Sequence, residues 1–247
     1  MTSWIVGDIH GCARELESLI RALDLGPSDR IVCVGDLFHR GPDPVAVMEI
    51  LKEHRAVFVL GNHEHAVLRR CGLTSQEDDS SSPPPPGETP ASFEPAQLEG
   101  DGVPFVDAPE GVRRDVVEFL RGHSGYALRS RQIDGAKNTP DGRGWCVLHA
   151  GIQPGLPIEG NSIRTLIGLR RLDVPGRPWW YESYRGPELI VFGHTPSAVP
   201  RAWHSGGRLV ALGIDTGCVY GGRLTAYSPE LDRTSSVRAL RTYARPK

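Results

Sequence analysis

The stretch SWIVGDIHG, residues 3–11, puts an aspartate and a histidine directly behind an apolar run. The run, residues 3–6, is typical of a buried strand, and it stops at Gly7. Apolar side chains then recur at helical spacing in the next segment. They are Leu16, Leu19, Ile20 and Leu23. The stretch therefore predicts a strand, a polar turn and a helix, in that order.

A strand and a helix follow in the same order further along the chain. A second strand is predicted at 31–34, and Asp43 with Pro44 is typical of an N-cap followed by the first residue of a helix. A third strand is predicted at 56–60. This β-α-β-α-β order indicates an α/β fold with parallel strands. Ligands collect in the crevice beyond the carboxyl ends of such strands.

The rest of the chain is predicted to contain one short helix and several strands. The helix is expected around 112–120, and a hairpin connection joins strands at 126–133 and 145–149. The later strands are expected at 189–192, 209–215 and 223–227. Residues 74–102 carry many prolines and acids but few apolar side chains, so they are expected to form a flexible insertion. The 247 residues, 1–247, fit a single large domain.

The charge balance and the cysteines exclude several classes of protein. The formal net charge is -2, so no basic field attracts nucleic acid, and no stable nucleic-acid partner is expected. The 5 cysteines form no CxxC pair, so neither a disulfide framework nor a zinc knuckle is indicated. No apolar run is long enough to span a membrane, and no signal peptide precedes Gly7. We therefore expect a cytoplasmic protein that does not act at the membrane.

Five short sequence blocks each contain one or two residues whose side chains can bind a metal ion. They are GDIHG at 7–11, GDLFHRG at 35–41, GNHE at 61–64, HAG at 149–151 and GHT at 193–195. Their carboxylate, imidazole and amide side chains belong to Asp8, His10, Asp36, Asn62, His149 and His194. A single Asp-x-His at a strand end is usually a solvated turn, but the joint pattern indicates a two-metal hydrolytic site. The donor mix suits Mn first, with Fe, Zn, Co and Ni as alternatives, and suits Mg or Ca less well.

These blocks, in this order, resemble those of the calcineurin-like metallophosphoesterases. They are more closely similar to the bacterial branch of the phosphoprotein phosphatase family, which includes symmetrical diadenosine tetraphosphatases. The tail IDTGCVYGGRLTAY at 214–227 is also similar to that of the bacterial nucleotide hydrolases, and the resemblance extends from Trp4 to near Ser228. It implies a four-layer metallophosphoesterase sandwich, in which helices flank two mixed β-sheets and the site lies on loops at one edge.

The resemblance also implies a role for each ligand. The first metal would be bound by Asp8, His10 and Asp36. The second would be bound by Asp36, Asn62, His149 and His194, so that Asp36 bridges the two ions. Two such ions supply a metal-bridging hydroxide that attacks phosphorus, and they clamp the attacking and leaving oxygens. His63 would be the general acid, and Arg40 would hold phosphate oxygens.

Further side chains are assigned to the substrate or to the support of the site. Substrate contacts are expected from Arg40, Asn62 and Arg185. The sequence does not decide which arginine would form a second phosphate clamp, since no spacing selects one of the candidates Arg164, Arg170, Arg171 and Arg185. The aromatic residues Trp179, Trp180 and Tyr181 either stack a nucleobase or pack at the core edge, and core packing is preferred. Asp215 either orients a metal-bound histidine or caps a turn.

His39 departs from the pattern of the protein phosphatases in this family. They usually carry Asp at this position of GDxxDRG, and that carboxylate orients and charges the general-acid histidine. Without it, His63 should be protonated less often near neutral pH. A serine alkoxide needs the proton, whereas a nucleotide leaves through a weakly basic phosphate oxygen. His39 thus favours phosphoanhydride substrates, unless it replaces the aspartate by a hydrogen bond to His63.

The predicted function is symmetrical hydrolysis of diadenosine tetraphosphate to two ADP. A serine/threonine protein phosphatase is the alternative, followed by a phosphoesterase that acts on RNA ends or other nucleotides. A non-catalytic metal-binding module would require a broken ligand set, and all the predicted ligands are present. The expected partner is accordingly a dinucleoside polyphosphate or a phosphoprotein substrate.

Overall fold

A computed structural model describes residues 1–74, 110–122 and 125–245 of the chain. The strands in these ranges are β1 (Ser3–Val6), β2 (Arg30–Cys33), β3 (Val57–Phe58), β4 (Ala127–Arg129), β5 (Trp145–Leu148), β6 (Leu189–Phe192), β7 (Arg201–Ser205), β8 (Arg208–Gly213), β9 (Arg223–Ser228) and β10 (Arg233–Arg238). The α-helices in these ranges are α1 (Ala13–Leu23), α2 (Pro44–Glu53), α3 (Asn62–Arg70), α4 (Glu110–Arg121) and α5 (Ile163–Gly168).

The strands form two five-stranded sheets of mixed direction. The first sheet has the order β10-β9-β1-β2-β3, and β1, β2 and β3 are parallel. The second has the order β4-β5-β6-β8-β7, and β5, β6 and β8 are parallel. Antiparallel strands complete both sheets, with β9 and β10 in the first and β4 and β7 in the second. The predicted pair of mixed β-sheets is confirmed.

The two sheets pack face to face over one apolar layer. Ile5 of β1 points into this layer, while Trp4 and Val6 belong to the core on the opposite face. This alternation follows from the two-residue period of a strand. Trp145 and Val147 of β5 enter the layer from the second sheet, and both are fully buried. A close-packed layer between the sheets therefore holds their strand ends in fixed positions relative to one another.

Helices cover the outer faces of both sheets and complete the four layers. On the first sheet, Leu16 of α1, Met48 of α2 and Val116 of α4 join the core beneath Trp4. On the second sheet, the cover is the short helix α5 together with a 3-10 turn at Trp180–Ser183, whose aromatic side chains are buried. Core packing of Trp180 and Tyr181 is thus confirmed.

Several element boundaries differ from the sequence-based prediction. The strand expected at 126–133 ends at Arg129, because the Gln132 side chain accepts a hydrogen bond from the Arg129 N–H at 2.8 Å and closes a 3-10 turn. The strand expected at 56–60 is reduced to β3, which pairs only with β2 at the sheet edge. The helix expected at 112–120 is confirmed as α4.

Four elements carry no clear apolar period and were not predicted from the sequence. They are α3, α5, β7 and β10. The two strands lie at sheet edges, where one side of each strand faces solvent and polar residues are tolerated. Of the flexible insertion predicted at 74–102, only Thr74 lies within the described residues, so this expectation stays a prediction. Among the described helices, none has the length and apolar character needed to cross a bilayer.

Candidate metal centre

The predicted ligands converge at one edge of the sandwich. Each ligand block follows the carboxyl end of a parallel strand, namely β1, β2, β3, β5 and β6. Neighbouring loops are tied by backbone bonds, with the His10 N–H donating to the Asp36 carbonyl at 2.8 Å and the Gly193 N–H donating to the His149 carbonyl at 2.8 Å. The strand order therefore brings together side chains that are far apart in the sequence.

The Asp36 carboxylate lies at the centre of the cluster. Its Oδ2 atom is 3.6 Å from Nε2 of His10 and 3.8 Å from Nε2 of His63. Its Oδ1 atom is 3.4 Å from Nε2 of His149. One buried carboxylate thus faces three imidazoles, as a ligand shared between two cations would.

A second set of donor atoms meets around the Asn62 side chain. Its Oδ1 atom is 2.9 Å from Nε2 of His149 and 3.1 Å from Nδ1 of His194. The opposite nitrogen of His149, Nδ1, lies 2.8 Å from the Val34 carbonyl and donates a hydrogen bond to it. That bond fixes the ring so that Nε2 points at Asn62 and Asp36, an arrangement typical of metal-bound histidines.

The spacing of these atoms fits two divalent ions. Two groups have all their ligand atoms within 4.8 Å of one another, His10 with Asp36 and His63, and Asp36 with His149 and His194. With metal–ligand bonds of about 2.1 Å, adjacent ligands lie roughly 3.0 to 3.4 Å apart and opposite ligands about 4.2 Å. The distances from Asp36 to the three imidazoles, 3.4–3.8 Å, lie between these two values. Asp36 belongs to both groups, so it is placed where a bridging ligand is required.

Asp8 contacts the backbone of another predicted ligand, His194. Both of its carboxylate oxygens accept from the His194 N–H at 3.1 Å, and Asp8 belongs to neither three-residue group. Gly193 packs against it so closely that a Cβ atom there would collide with the carboxylate and with Val34. The first group contains His63 where Asp8 was expected. The ligand role of Asp8 stays a prediction.

Without a cation, the burial of these carboxylates and the repulsion between their charges would destabilise the fold. Burial, together with the charge of Asp215, raises the pKa of Asp8 well above its usual range. Burial also acts to raise the pKa of Asp36, but the charges of His149 and His63 outweigh it and hold that pKa well below its usual range. Burial acts to lower the pKa of His149, yet Asp36 raises it to about 9. A metal ion would displace that proton and screen the carboxylates from each other.

Four residues of the site have backbone angles in the left-handed region. They are His10 (φ 48°), Asp36 (φ 52°), Arg40 (φ 74°) and His194 (φ 67°). Such angles cost about 1–3 kcal/mol each in residues other than glycine, and they persist only where the surrounding structure enforces them. The bonds between neighbouring loops provide that enforcement here. Four of the eight non-glycine residues with such angles in the described ranges thus lie at the predicted ligands or beside them.

Glu64 supports the centre in a way that sequence analysis missed. Its carboxylate is fully buried and accepts from three backbone N–H groups, at Asp36 (2.8 Å), Leu37 (2.9 Å) and Gly61 (3.1 Å). These bonds tie the loop that carries Asp36 to the first turn of α3, which carries Asn62 and His63. The signal in the sequence was the glutamate at the third helical position, which is typical of a capping box.

His39 and His63 lie with their rings in contact. Their centroids are 4.7 Å apart and the rings are tilted by 38°. The Nδ1 atom of His63 is buried and has no hydrogen-bond partner among the described residues, so His39 does not replace an aspartate by bonding to it. Burial lowers the pKa of His63 well below its usual range; the charge of Asp36 opposes this effect, and His39 and Arg40 act with it. The predicted weakening of His63 as an acid agrees with this environment.

The arginines divide into those beside the centre and one held elsewhere. Arg40 donates to Nε2 of His10 at 3.2 Å and lies over the ring of Tyr220. Arg170 donates to the His194 carbonyl at 3.5 Å. Arg185 instead donates to the carbonyls of Glu182 and Tyr184 within its own loop. Of the four arginines considered as a second phosphate clamp, Arg170 is therefore the one that contacts a predicted ligand.

Asp215 and His65 have structural partners. The Asp215 side chain accepts from the Gly217 N–H at 3.0 Å, which is the turn-capping alternative. Burial raises its pKa to about 6. Nδ1 of His65 is 2.7 Å from the Tyr126 hydroxyl, so this side chain links α3 to the segment before β4.

Comparison with known proteins agrees with this geometry. Residues 1–232 match the profile of the calcineurin-like phosphoesterase family. An asymmetrical bis(5'-nucleosyl)-tetraphosphatase PrpE of Oceanobacillus iheyensis is 29% identical over 245 residues, which is 90% of this chain and 86% of that protein. The protein of the same name from Anoxybacillus flavithermus is 29% identical over 267 residues, or 98% and 96% of the two chains.

A solved structure shows the same architecture. It is provisionally described as a diadenosine tetraphosphatase and superposes with a TM-score of 0.68 at 27% identity, covering 97% of this chain and 94% of the other. Both curated relatives are named asymmetrical, so the predicted symmetrical cleavage is not supported.

Proposed function

Because this chain belongs to the calcineurin-like phosphoesterase family, we propose that it hydrolyses dinucleoside tetraphosphates with two divalent metal ions and cleaves them asymmetrically. The position of Asp36 carries the proposal, since one carboxylate faces His10, His63 and His149 at 3.4–3.8 Å. The first ion would be held by His10, Asp36 and Asp8, and the second by Asp36, Asn62, His149 and His194. When bound, the two ions activate water and clamp the oxygens of an in-line displacement.

The protein's own residues would position the phosphate chain. Arg40 and Arg170 lie beside the His10 and His194 ends of the cluster, so they are placed to hold phosphate oxygens on both sides of it. Arg170 takes the place that sequence analysis gave to Arg185. Asn62 lies between His149 and His194, where its amide would help to hold the second ion and would contact the substrate.

The surroundings of His63 support a phosphoanhydride substrate. Its Nδ1 atom has no carboxylate partner among the described residues, and the ring of His39 lies beside it, while Asp36 lies 3.8 Å from Nε2. A general acid without that support is adequate only for a leaving group of low basicity. Asymmetrical cleavage yields ATP and AMP, and either nucleotide leaves through a phosphate oxygen. Serine phosphate esters make a larger demand on the acid.

The test is product analysis after incubation with diadenosine tetraphosphate and Mn in water enriched in ¹⁸O. We expect ATP and AMP, with the label in the nucleotide whose phosphorus was attacked. A phosphoserine peptide, assayed in parallel, should be a poorer substrate. Two molecules of ADP would overturn the asymmetrical cleavage, and a preference for the phosphopeptide would overturn the substrate class.

A further inference from the structure

A second cluster of arginines lies on the segment between α5 and β6 and at the start of β7. The guanidinium carbon of Arg171 lies 3.9 Å from the centroid of the Trp179 ring, and that of Arg201 lies 4.7 Å from the same centroid. Trp179 is also stacked on Tyr181, with ring centroids 5.9 Å apart and planes within 7°. One indole therefore contacts two guanidinium groups. We call Arg171, Trp179 and Arg201 the tryptophan platform.

The charges of the platform are not neutralised by the protein. No carboxylate in the described ranges forms an ion pair with Arg170, Arg171 or Arg201. Arg171 is exposed and donates only to the Arg177 carbonyl. Arg201 donates to the Pro196 carbonyl, and its Nη1 atom is buried with no acceptor among the described residues. Two guanidinium groups on one ring, with no carboxylate in the described ranges paired to them, favour an anion as the missing partner.

The platform is connected to the metal centre by short stretches of chain. Arg170, which contacts the His194 carbonyl, is the neighbour of Arg171 in sequence. Arg201 contacts the carbonyl of Pro196, two residues after His194, and an extended chain spans at most about 3.6 Å per residue. Trp180, next to Trp179, donates from its indole to the Ala150 carbonyl at 3.1 Å, directly after His149. The platform therefore lies on the His149 and His194 side of the centre.

We propose that the tryptophan platform is a second phosphate subsite, which binds the part of a polyphosphate chain that is not being cleaved. The inference rests on the proposed function, because it takes a substrate with several consecutive phosphates. The cleaved phosphate occupies the metal centre with Arg40 and Arg170. The remaining phosphates of the chain extend past His194 to Arg171 and Arg201. The planar guanidinium groups of these arginines are held in position by stacking on Trp179.

Titration calorimetry on the Mn-loaded protein separates this subsite from the metal centre. The probes are inorganic tripolyphosphate, which has three consecutive phosphates, and inorganic phosphate, which has one and needs only the metal centre. In Arg171→Ala and Arg201→Ala, we expect the Kd of tripolyphosphate to rise by about five- to twentyfold, while the Kd of phosphate stays unchanged. Arg208→Ala, which removes an exposed arginine of β8, is the matched control and should change neither value.

Two outcomes would overturn the subsite. An unchanged Kd for tripolyphosphate in both variants would show that the arginines bind no phosphate. An equal rise for both probes would show that they act only through the metal centre. The exposed Arg171 can be replaced without loss of packing, so at least one variant stays folded. If the variants discriminate as expected but diadenosine tetraphosphate is not hydrolysed, the proposed function fails and the subsite stands.

Discussion

Replacing Glu64 by alanine should weaken both the fold and the metal centre. The change removes the acceptor of three buried backbone N–H groups, at Asp36, Leu37 and Gly61. Each unsatisfied donor costs about 1–3 kcal/mol, which gives roughly 6 kcal/mol for three. The loss falls on the loop of Asp36 and on the start of α3 at the same time.

An opposing effect reduces this cost. Burial and the charge of Asp36 raise the pKa of Glu64 from 4.5 to about 7, so the ionised carboxylate destabilises the fold as pH rises from 4.5 through 7. At pH 8, removal of this ionised carboxylate therefore restores up to about 3 kcal/mol to the free energy of unfolding, since one pKa unit corresponds to about 1.4 kcal/mol. The net loss is then roughly 3 kcal/mol, or a fall in Tm of about 6–12 °C for a chain of this size.

Urea unfolding and Mn titration at pH 8 provide the assays. Besides the loss of stability, we expect Mn affinity to fall by about 10- to 100-fold, because the residue positions ligands without touching the ion. Glu17→Ala is the control. Glu17 is exposed and forms a surface ion pair with Arg21 at 3.9 Å, so its loss should cost at most about 1 kcal/mol of stability. If Glu64→Ala stays within about 1 kcal/mol of the wild type and binds Mn normally, the three bonds do not hold the loop and the reasoning is wrong.

Three further predictions concern the centre, its acid and the insertion. Asp36→Asn should lower the bound metal at both sites, measured by elemental analysis, whereas Asp24→Asn at the end of α1 should retain two ions. His39→Asp should place a carboxylate against His63 and raise kcat/KM for a phosphoserine peptide by about tenfold, with little change for diadenosine tetraphosphate. An unchanged ratio of the two constants would contradict the leaving-group argument. Deletion of residues 80–87, outside the described ranges, should keep turnover within about a few fold, because so polar a segment adds little to the core. A collapse of activity with intact circular dichroism would make it part of the site.

Much of the fold was readable from local sequence. The parallel strands β1 and β2 are short apolar runs, and the helices α1, α2 and α4 have apolar residues at helical spacing, which is why their approximate positions were predicted. The edge strands β7 and β10 and the polar helix α3 have no such period. Their positions depend on pairing with β8 and β9 and on the buried bonds of Glu64.

The sequence by itself determined the family and the donor residues, because each ligand stands in a short block beside glycine at a strand end. Only the tertiary structure decided which donors meet. It brought His63 beside Asp36, turned Asp8 toward the His194 backbone, and placed Arg170 against the His194 carbonyl. It also placed Arg171 and Arg201 on Trp179. A spacing along the chain records which strand a residue follows, whereas distances between side chains depend on how the two sheets pack and on the paths of the loops.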